Sequence, residues 1–432
     1  MIPKIETATT AEIKRFQEQK LSELLAYVNE YSPFYKKLFS ENNIDIATIK
    51  TVEDLQKIPV TTKEDLQLYN SDFMCVPVNN IIDFATTSGT LGEPVTFGLT
   101  DNDLERLAYN EAISFDCAGI KEGDIVQLMT TIDRRFMAGL AYFLGLRKMK
   151  VGVIRVGAGI PELQWDSILK YKPNYVITVP SFLLKLMEYA EAHNIDYNNC
   201  GVTGAICIGE SLRNQDFSMN TLSKKITEKW NIKLFSTYAS TEMSTAFTEC
   251  EHAIGGHHHP ELIIVEVLDD NNHSAAAGES GELIFTTLGI EAMPLLRFKT
   301  GDIVKLHHKP CACGRNTLRI GPIIGRKQQM IKYKGTTLYP PAMNDILNDF
   351  STIESHVIEI FTNDLGTDEI LIKLAVKEET EEFLQEIKDH FRAKLRVTPK
   401  IEFTTKEILD KLIFPPMSRK PIHFFDKRNS TN

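Results

Sequence analysis

Residues 87–94 read TSGTLGEP, and this stretch, taken with three that follow it, decides the fold. Hydroxyl side chains and glycines crowd a tight turn here. Glycine lets the backbone approach a ligand closely, and free N–H groups with hydroxyls suit the oxygens of a polyphosphate. The stretch lacks the Gly-Lys-Ser/Thr ending of the P-loop, so it is not that motif. Most Ser/Thr/Gly loops are plain turns. This one gains meaning from its ordered companions: YASTE at 238–242, RFKTGD at 297–302 and GRKQQM at 325–330.

The bulk properties leave room for an enzyme. A chain of 432 residues suggests two to three domains with ample buried core. Hydrophobic residues at 43% and charged ones at 25% match soluble globular proteins. The net charge of −10 argues against a nucleic-acid binder, whose domains are usually basic. No apolar stretch approaches the ~20 residues of a membrane span, which argues against a membrane partner. The start, MIPKIETATTAEIKRF, has charges where a secretory signal needs an apolar run, so a cytoplasmic location is expected. Seven cysteines are too few and scattered for a disulfide framework, and Cys75, Cys117, Cys200 and Cys207 are expected to be reduced, buried fillers.

The first sixty residues read as helices, with apolar residues at helical spacing over 14–31. Short apolar runs at 125–132, 151–156 and 175–180 read as buried strands, and they alternate with helical stretches such as 181–194. That alternation predicts βαβ units. The runs ELIIVEVLD and GELIFTTL predict a smaller antiparallel sheet. Beyond residue 325, helix and strand patterns alternate again. The fold class expected is α/β, with a large N-terminal domain of mixed sheets and helices (1–325) and a small α+β domain (326–432).

The ordered motifs resemble those of the adenylate-forming enzymes, and within them the phenylacetate–CoA ligase family. The resemblance covers nearly the whole chain. It includes SPFYKKLF at 32–39, VEDLQKIPVTTKEDL at 52–66 and RKPIHFFDKR at 419–428, where the family places a catalytic lysine six residues before an aspartate. It implies a carboxylate attacking the α-phosphate of ATP to give an acyl-adenylate, followed by transfer to the thiol of CoA.

The resemblance also implies the roles. Thr87, Ser88, Gly89, Thr90 and Gly92 would surround the phosphates. Leu91 stands in place of a usual Thr, and Glu93 in place of a usual Lys. Glu242 would hold Mg²⁺, and Thr241 would add a hydroxyl near the α-phosphate. Gly209, Glu210 and Ser211, with Tyr238, Ala239 and Ser240, would line the adenine. Ala239 stands where many relatives carry Gly. Asp302 would take the ribose hydroxyls, since a carboxylate suits a vicinal diol, with Arg326 behind it. Lys420 would bridge carboxylate and α-phosphate. The C-terminal lid would turn about Gln328, a position usually Asp or Lys, and bring Gly335 to the pantetheine arm. Phe136 would line the acyl pocket. Arg134 and Arg135 beside it have no assigned role.

Cys250 and His257 in ECEHAIGGHHHPE, with Cys311 and Cys313 in KPCACGR, make a four-ligand set suited to tetrahedral zinc. The Cys-x-Cys spacing is tighter than usual, but phenylacetate–CoA ligase-like proteins often carry a comparable set. His252, His258 and His259 are alternative ligands. The zinc would be structural.

The leading reading is an AMP-forming ligase for an aromatic acid, with ATP, Mg²⁺, CoA and structural Zn²⁺. A second keeps adenylation but passes the acyl group to an amine or a carrier protein. A third is a zinc-stapled scaffold with a decayed nucleotide site, which the retention of Glu242, Asp302 and Lys420 disfavours. A homodimer stays open.

Overall fold

A computed structural model describes residues 2–87, 95–276, 278–333, 336–363, 367–415 and 421–428. The chain divides into two compact units: Met1–Thr300 with Val304–Pro322, and Gly301–Ile303 with Ile323–Asn432. It is a mixed α/β protein, as the sequence predicts.

The first unit opens with helices α1 (Thr10–Tyr31), α2 (Pro33–Glu41) and α3 (Lys63–Leu68). α1 starts four residues before the periodic pattern because Thr9 and Glu12 form a reciprocal capping box. Its buried stripe runs Ile13, Gln17, Leu21, Leu24, Leu25 and Val28. α2 carries Phe34, stacked on Phe73 at 3.9 Å, and the buried Tyr35, whose hydroxyl accepts the Leu296 N–H at 2.8 Å.

A short antiparallel pair follows, β1 (Asp83–Thr86) and β2 (Thr96–Leu99). Helix α4 (Asp101–Cys117) also begins at a capping box, Thr100 with Asp103. The Asp103 carboxylate also accepts the N–H groups of Glu291 and Ala292, at 2.7 and 3.0 Å. Next come β3 (Ile125–Leu128), α5 (Met137–Lys148), β4 (Gly152–Arg155), α6 (Pro161–Tyr171), β5 (Tyr175–Thr178), α7 (Pro180–Ala192), β6 (Gly204–Ile208), α8 (Thr221–Thr227), β7 (Lys233–Ser240) and β8 (Thr245–Thr248). Strands β3 to β8 form one sheet ordered β4-β3-β5-β6-β7-β8, parallel except at β7–β8. α4 and α5 approach closely at Gly145, where a side-chain carbon would lie 2.4 Å from Glu111 Cβ. Around α6 and α7, both tryptophans of the chain, Trp165 and Trp230, stack at 5.7 Å in the core, and Trp165 Nε1 donates to the Leu186 carbonyl.

The smaller sheet has β9 (Gly256–His257), β10 (Ile263–Leu268), β11 (Ser280–Thr287), β12 (Phe298–His307) and β13 (Arg319–Ile320) in the order β10-β11-β12-β13-β9. At Asp302 and Ile303, β12 also pairs with β14 (Gly325–Arg326).

The second unit contains the β15 (Ile331–Tyr333) and β16 (Thr336–Leu338) pair and the helices α9 (Pro340–Asn348), α10 (Glu381–Leu395) and α11 (Lys406–Ile413). Its sheet comprises β17 (Ile353–Thr362), β18 (Asp368–Val376), β19 (Lys400–Phe403) and β20 (Phe424–Asp426), ordered β19-β18-β17-β20. Ile358, Ile360, Ile370, Ile372 and Leu374 pack with Ile387 and Phe391 of α10 as its core. No described helix is long and apolar enough to cross a membrane.

Candidate active site

The larger sheet has a topological switch point. From β3 the chain goes out to β4 on one side and returns to β5 on the other. In open parallel sheets a ligand crevice lies outside the carboxyl ends of the strands at such a point. The segments that leave these ends are the candidates for chemistry.

After β3, residues 129–136 lead to Phe136, the residue before α5. The Arg135 carbonyl accepts the Thr86 N–H at 3.0 Å. That bond fastens the end of β1, and with it the base of the TSGTLGEP stretch, to the switch-point end of the sheet. Thr87 closes that base twice: its N–H donates to the Val95 carbonyl, and its Oγ1 accepts the Val95 N–H, both at 3.0 Å. Ser88, Gly89, Thr90 and Gly92 lie outside the described residues.

After β6 comes Gly209 with φ of 78°, a left-handed conformation that glycine adopts without strain. Glu210 turns its carboxylate onto the start of α7, accepting from Ser181 N–H at 2.9 Å and Ser181 Oγ at 2.8 Å. Ser211 Oγ donates to the Arg213 carbonyl. β7 runs beside β6 and continues past it, so Tyr238, Ala239 and Ser240 sit next to Gly209 and pair with Phe247, Ala246 and Thr245 of β8. Thr241 and Glu242 then occupy the turn between β7 and β8, where the Thr241 carbonyl accepts the Ser244 N–H. No helix begins at Glu242, which rests half-buried in this turn. Behind the strands, a buried Arg213–Glu249 pair at 3.2 Å ties the segment after β6 to the end of β8.

In the second unit, Asp302 and Arg326 are register partners, and Arg326 Nε donates to Asp302 Oδ1 at 3.2 Å. Asp302 is buried, whereas Arg326 is exposed. Gln328 lies in a single helical turn, and its carbonyl accepts from Arg428 Nη2 at 3.0 Å. Gly335 and Lys420 lie outside the described residues.

Cys250, His257, Cys311 and Cys313 gather in the first unit, with their ligand atoms all within 4.8 Å of one another. Cys250 Sγ is 3.7 Å from Cys311 Sγ, and Cys313 Sγ is 3.5 Å from His257 Nε2. A tetrahedron with Zn–S of about 2.3 Å and Zn–N of about 2.0 Å has edges of roughly 3.8 and 3.6 Å, so the set fits zinc. Burial pushes the His257 pKa down to about 3, which keeps the ring neutral and its lone pair available. The other histidines of the run are engaged elsewhere. His258 Nε2 contacts the Ile263 carbonyl, and His259 lies between Glu6 and Ser114.

No protein-family model matches the chain. The phenylacetate-coenzyme A ligase of Thermus thermophilus is 30% identical over 381 residues, covering 87% of this chain and 84% of the relative. The chain belongs to the phenylacetate–CoA ligase family. The Escherichia coli phenylacetate-coenzyme A ligase is 28% identical over 385 residues, covering 87% and 85%. Among solved structures, 2-hydroxyisobutyryl-CoA ligase in the postadenylation state, in complex with R3-HIB-AMP, superposes with a TM-score of 0.86 at 25% identity, covering 99% of this chain and 92% of that one.

Within this family member, the structure brings together the base of the first motif, the segment after β3, Gly209–Ser211 and Tyr238–Glu242. Asp302 and Arg326 form a second group. Sequence reasoning missed the Glu6 network. Glu6 is fully buried and pairs with Arg315 Nε at 2.6 Å and His259 Nδ1 at 2.5 Å. Arg315 Nη1 in turn donates to Cys313 Sγ at 3.5 Å. Burial works against ionising Glu6, but His259 and Arg315 outweigh it and hold the carboxyl below its ordinary range. A single Glu in the first ten residues carries no signal for partners 253 and 309 positions away.

Proposed function

We propose that this protein is an AMP-forming ligase that activates an aromatic, phenylacetate-like carboxylic acid with ATP and transfers the acyl group to CoA. The observation that carries the reading is the fastening of the TSGTLGEP base to the switch-point end of the sheet, whose carboxyl edge also carries Gly209 and Tyr238–Glu242, in a chain of this family.

Each half-reaction has its residues in this reading. Adenylation brings an anion against a polyanion, so donors and positive charge must surround the phosphates. Hydroxyl and backbone donors of residues 88–92 serve the phosphates, with Thr87 closing the loop beneath them. Thr241 adds a hydroxyl near the α-phosphate. Tyr238 and the Gly209–Ser211 segment flank the adenine, and Phe136 lines the acyl pocket. Asp302 accepts from the ribose hydroxyls, with Arg326 orienting it. Glu242 would hold Mg²⁺, a hard cation that would supply charge neutralisation at phosphate oxygens. Lys420 stabilises the charge of the adenylation transition state, Gln328 is the hinge of the smaller domain, and Gly335 gives the pantetheine arm room. Cys250, His257, Cys311 and Cys313 would hold a structural Zn²⁺ that staples the smaller sheet.

A pyrophosphate-release assay over a panel of carboxylic acids, with and without CoA, tests the reading. Pyrophosphate release with aromatic acids and an acyl-CoA product only when CoA is present is expected. Pyrophosphate release with an acyl product formed only on an amine or a carrier protein would refute the CoA step. Release confined to aliphatic acids would refute the substrate class.

A further inference from the structure

Residues 241–244 join β7 to β8, and the turn they make carries Thr241 and Glu242. Its last residue, Ser244, has φ of 45°, in the left-handed region that a serine occupies only where its surroundings hold it. Bonds within the turn supply part of the hold. The Ser244 N–H and Oγ both donate to the Thr241 carbonyl, at 3.3 and 3.2 Å, and the Met243 N–H donates to Ser240 Oγ at 3.3 Å. Met243, between Glu242 and Ser244, is fully buried.

The rest of the hold comes from α4. Arg106 Nη1 donates to the Ser244 carbonyl at 2.8 Å, and Nη2 donates to Thr245 Oγ1 at 3.3 Å. The same guanidinium reaches the smaller sheet. Nη2 also donates to the carbonyl of Leu262, just before β10, at 2.6 Å, and Nε donates to the carbonyl of Leu288, just after β11, at 2.7 Å. One turn further along α4, Asn110 Oδ1 accepts the Ala246 N–H of β8 at 3.0 Å. A planar fork with donors in fixed directions suits such a junction, and an ammonium group cannot reproduce it. None of the four acceptors of Arg106 is a carboxylate. Burial pulls its pKa down to about 10, with the nearby Asp103 and Glu261 charges working the other way, so the side chain is cationic at neutral pH and directs its charge at backbone carbonyls.

We propose that Arg106 is a positioning residue for the Thr241–Glu242 turn: it holds the strained Ser244 through its carbonyl, and so sets where the Glu242 carboxylate and the Thr241 hydroxyl stand toward magnesium-ATP. The assignment rests on the ligase reading above. It extends that reading to a residue of α4 that acts through the turn rather than on the nucleotide.

The test uses the full chain as wild type, Arg106→Lys and Thr245→Val. Each is titrated calorimetrically with ATP in the presence of Mg²⁺ and in EDTA. Hydrogen exchange over residues 241–246, the melting temperature and KM for ATP and CoA complete the set. In Arg106→Lys the gain in ATP affinity that Mg²⁺ brings should shrink about tenfold, the scale on which partners behind a ligating carboxylate act. Exchange in the turn should quicken, and KM for ATP should rise while KM for CoA holds. Thr245→Val, which removes only the longest of the four bonds, should shift the magnesium gain and the exchange in the same direction by a smaller factor. A merely structural Arg106 would lower the melting temperature and leave the magnesium gain of the folded fraction as in wild type, and that result would overturn the assignment. Should Arg106→Lys fail to fold, a Thr245→Val protein with the full magnesium gain and unchanged exchange would overturn it equally. Wild-type protein that binds magnesium-ATP but releases no pyrophosphate with any acid would refute the ligase reading, and the affinity and exchange readouts would still decide the role of Arg106.

Discussion

Cys250 Sγ lies 3.7 Å from Cys311 Sγ, close to the edge of a tetrahedral zinc–thiolate site and well beyond the length of a disulfide. Elemental analysis should find about one zinc per chain. Chelation should lower the melting temperature, and Cys311→Ser should lower both zinc content and stability, while the nucleotide affinity of the surviving folded fraction holds. A metal-free preparation with an unchanged melting temperature would reject a structural zinc.

Asp302 is buried and meets the exposed Arg326 at 3.2 Å across paired strands. If the carboxylate takes the ribose diol, Asp302→Asn should raise KM for ATP by about ten- to a hundredfold, the cost of one charge-assisted hydrogen-bonded pair. The same variant should discriminate less between ATP and its 2′-deoxy analogue. Equal discrimination by wild type and variant would remove Asp302 from the ribose site.

Glu111 sits between α4 and α5, where burial pushes its carboxyl up to about 8 from an ordinary 4.5. The folded chain therefore keeps a proton that the unfolded chain releases between those two values. Stability should be highest below about pH 4.5 for this group and should fall as pH rises through 8. Glu111→Gln should flatten that slope, with a difference on the order of 2–4 kcal/mol between its ends. Denaturant midpoints of both proteins from pH 5 to pH 8.5 measure it, and parallel profiles would contradict the buried neutral carboxyl.

Much of the fold was legible because local rules and tertiary packing agree. The apolar runs at 125–132, 151–156 and 175–180 became β3, β4 and β5, each shortened because only the residues paired with neighbours count as strand. The Thr9–Glu12 capping box explains why α1 starts earlier than its apolar stripe. YASTE was legible as a motif, but its setting in a strand and a turn depends on pairing with β8, which no local pattern announces. Arg297 had no role assigned from the sequence. It stands inside RFKTGD, yet it is buried and engaged with Glu266 at 3.1 Å and the Ile58 carbonyl at 2.6 Å, so it holds the smaller sheet to the N-terminal segment. The four Cys/His residues were legible as a set because their side-chain chemistry is distinctive. The Glu6 network was not, since carboxylates and guanidinium groups occur everywhere along the chain.

Lys420 and Gly335 separate the two half-reactions. Lys420→Ala should slow acyl-adenylate formation by on the order of 10²–10³, roughly the 3–4 kcal/mol of one preorganised donor. Thioester formation from a supplied acyl-adenylate should survive. Gly335→Leu should do the reverse, obstructing the pantetheine path while pyrophosphate release continues. Equal loss of both half-reactions in both variants would contradict a smaller domain that alternates between two states.

The central claim is that ATP is cleaved between its α- and β-phosphates. Incubating the protein with ATP, Mg²⁺, phenylacetate and CoA, then separating the nucleotides by chromatography, tests it directly. The account predicts AMP and pyrophosphate in equal amounts, matched by an acyl-CoA. Formation of ADP and phosphate in place of AMP would contradict it.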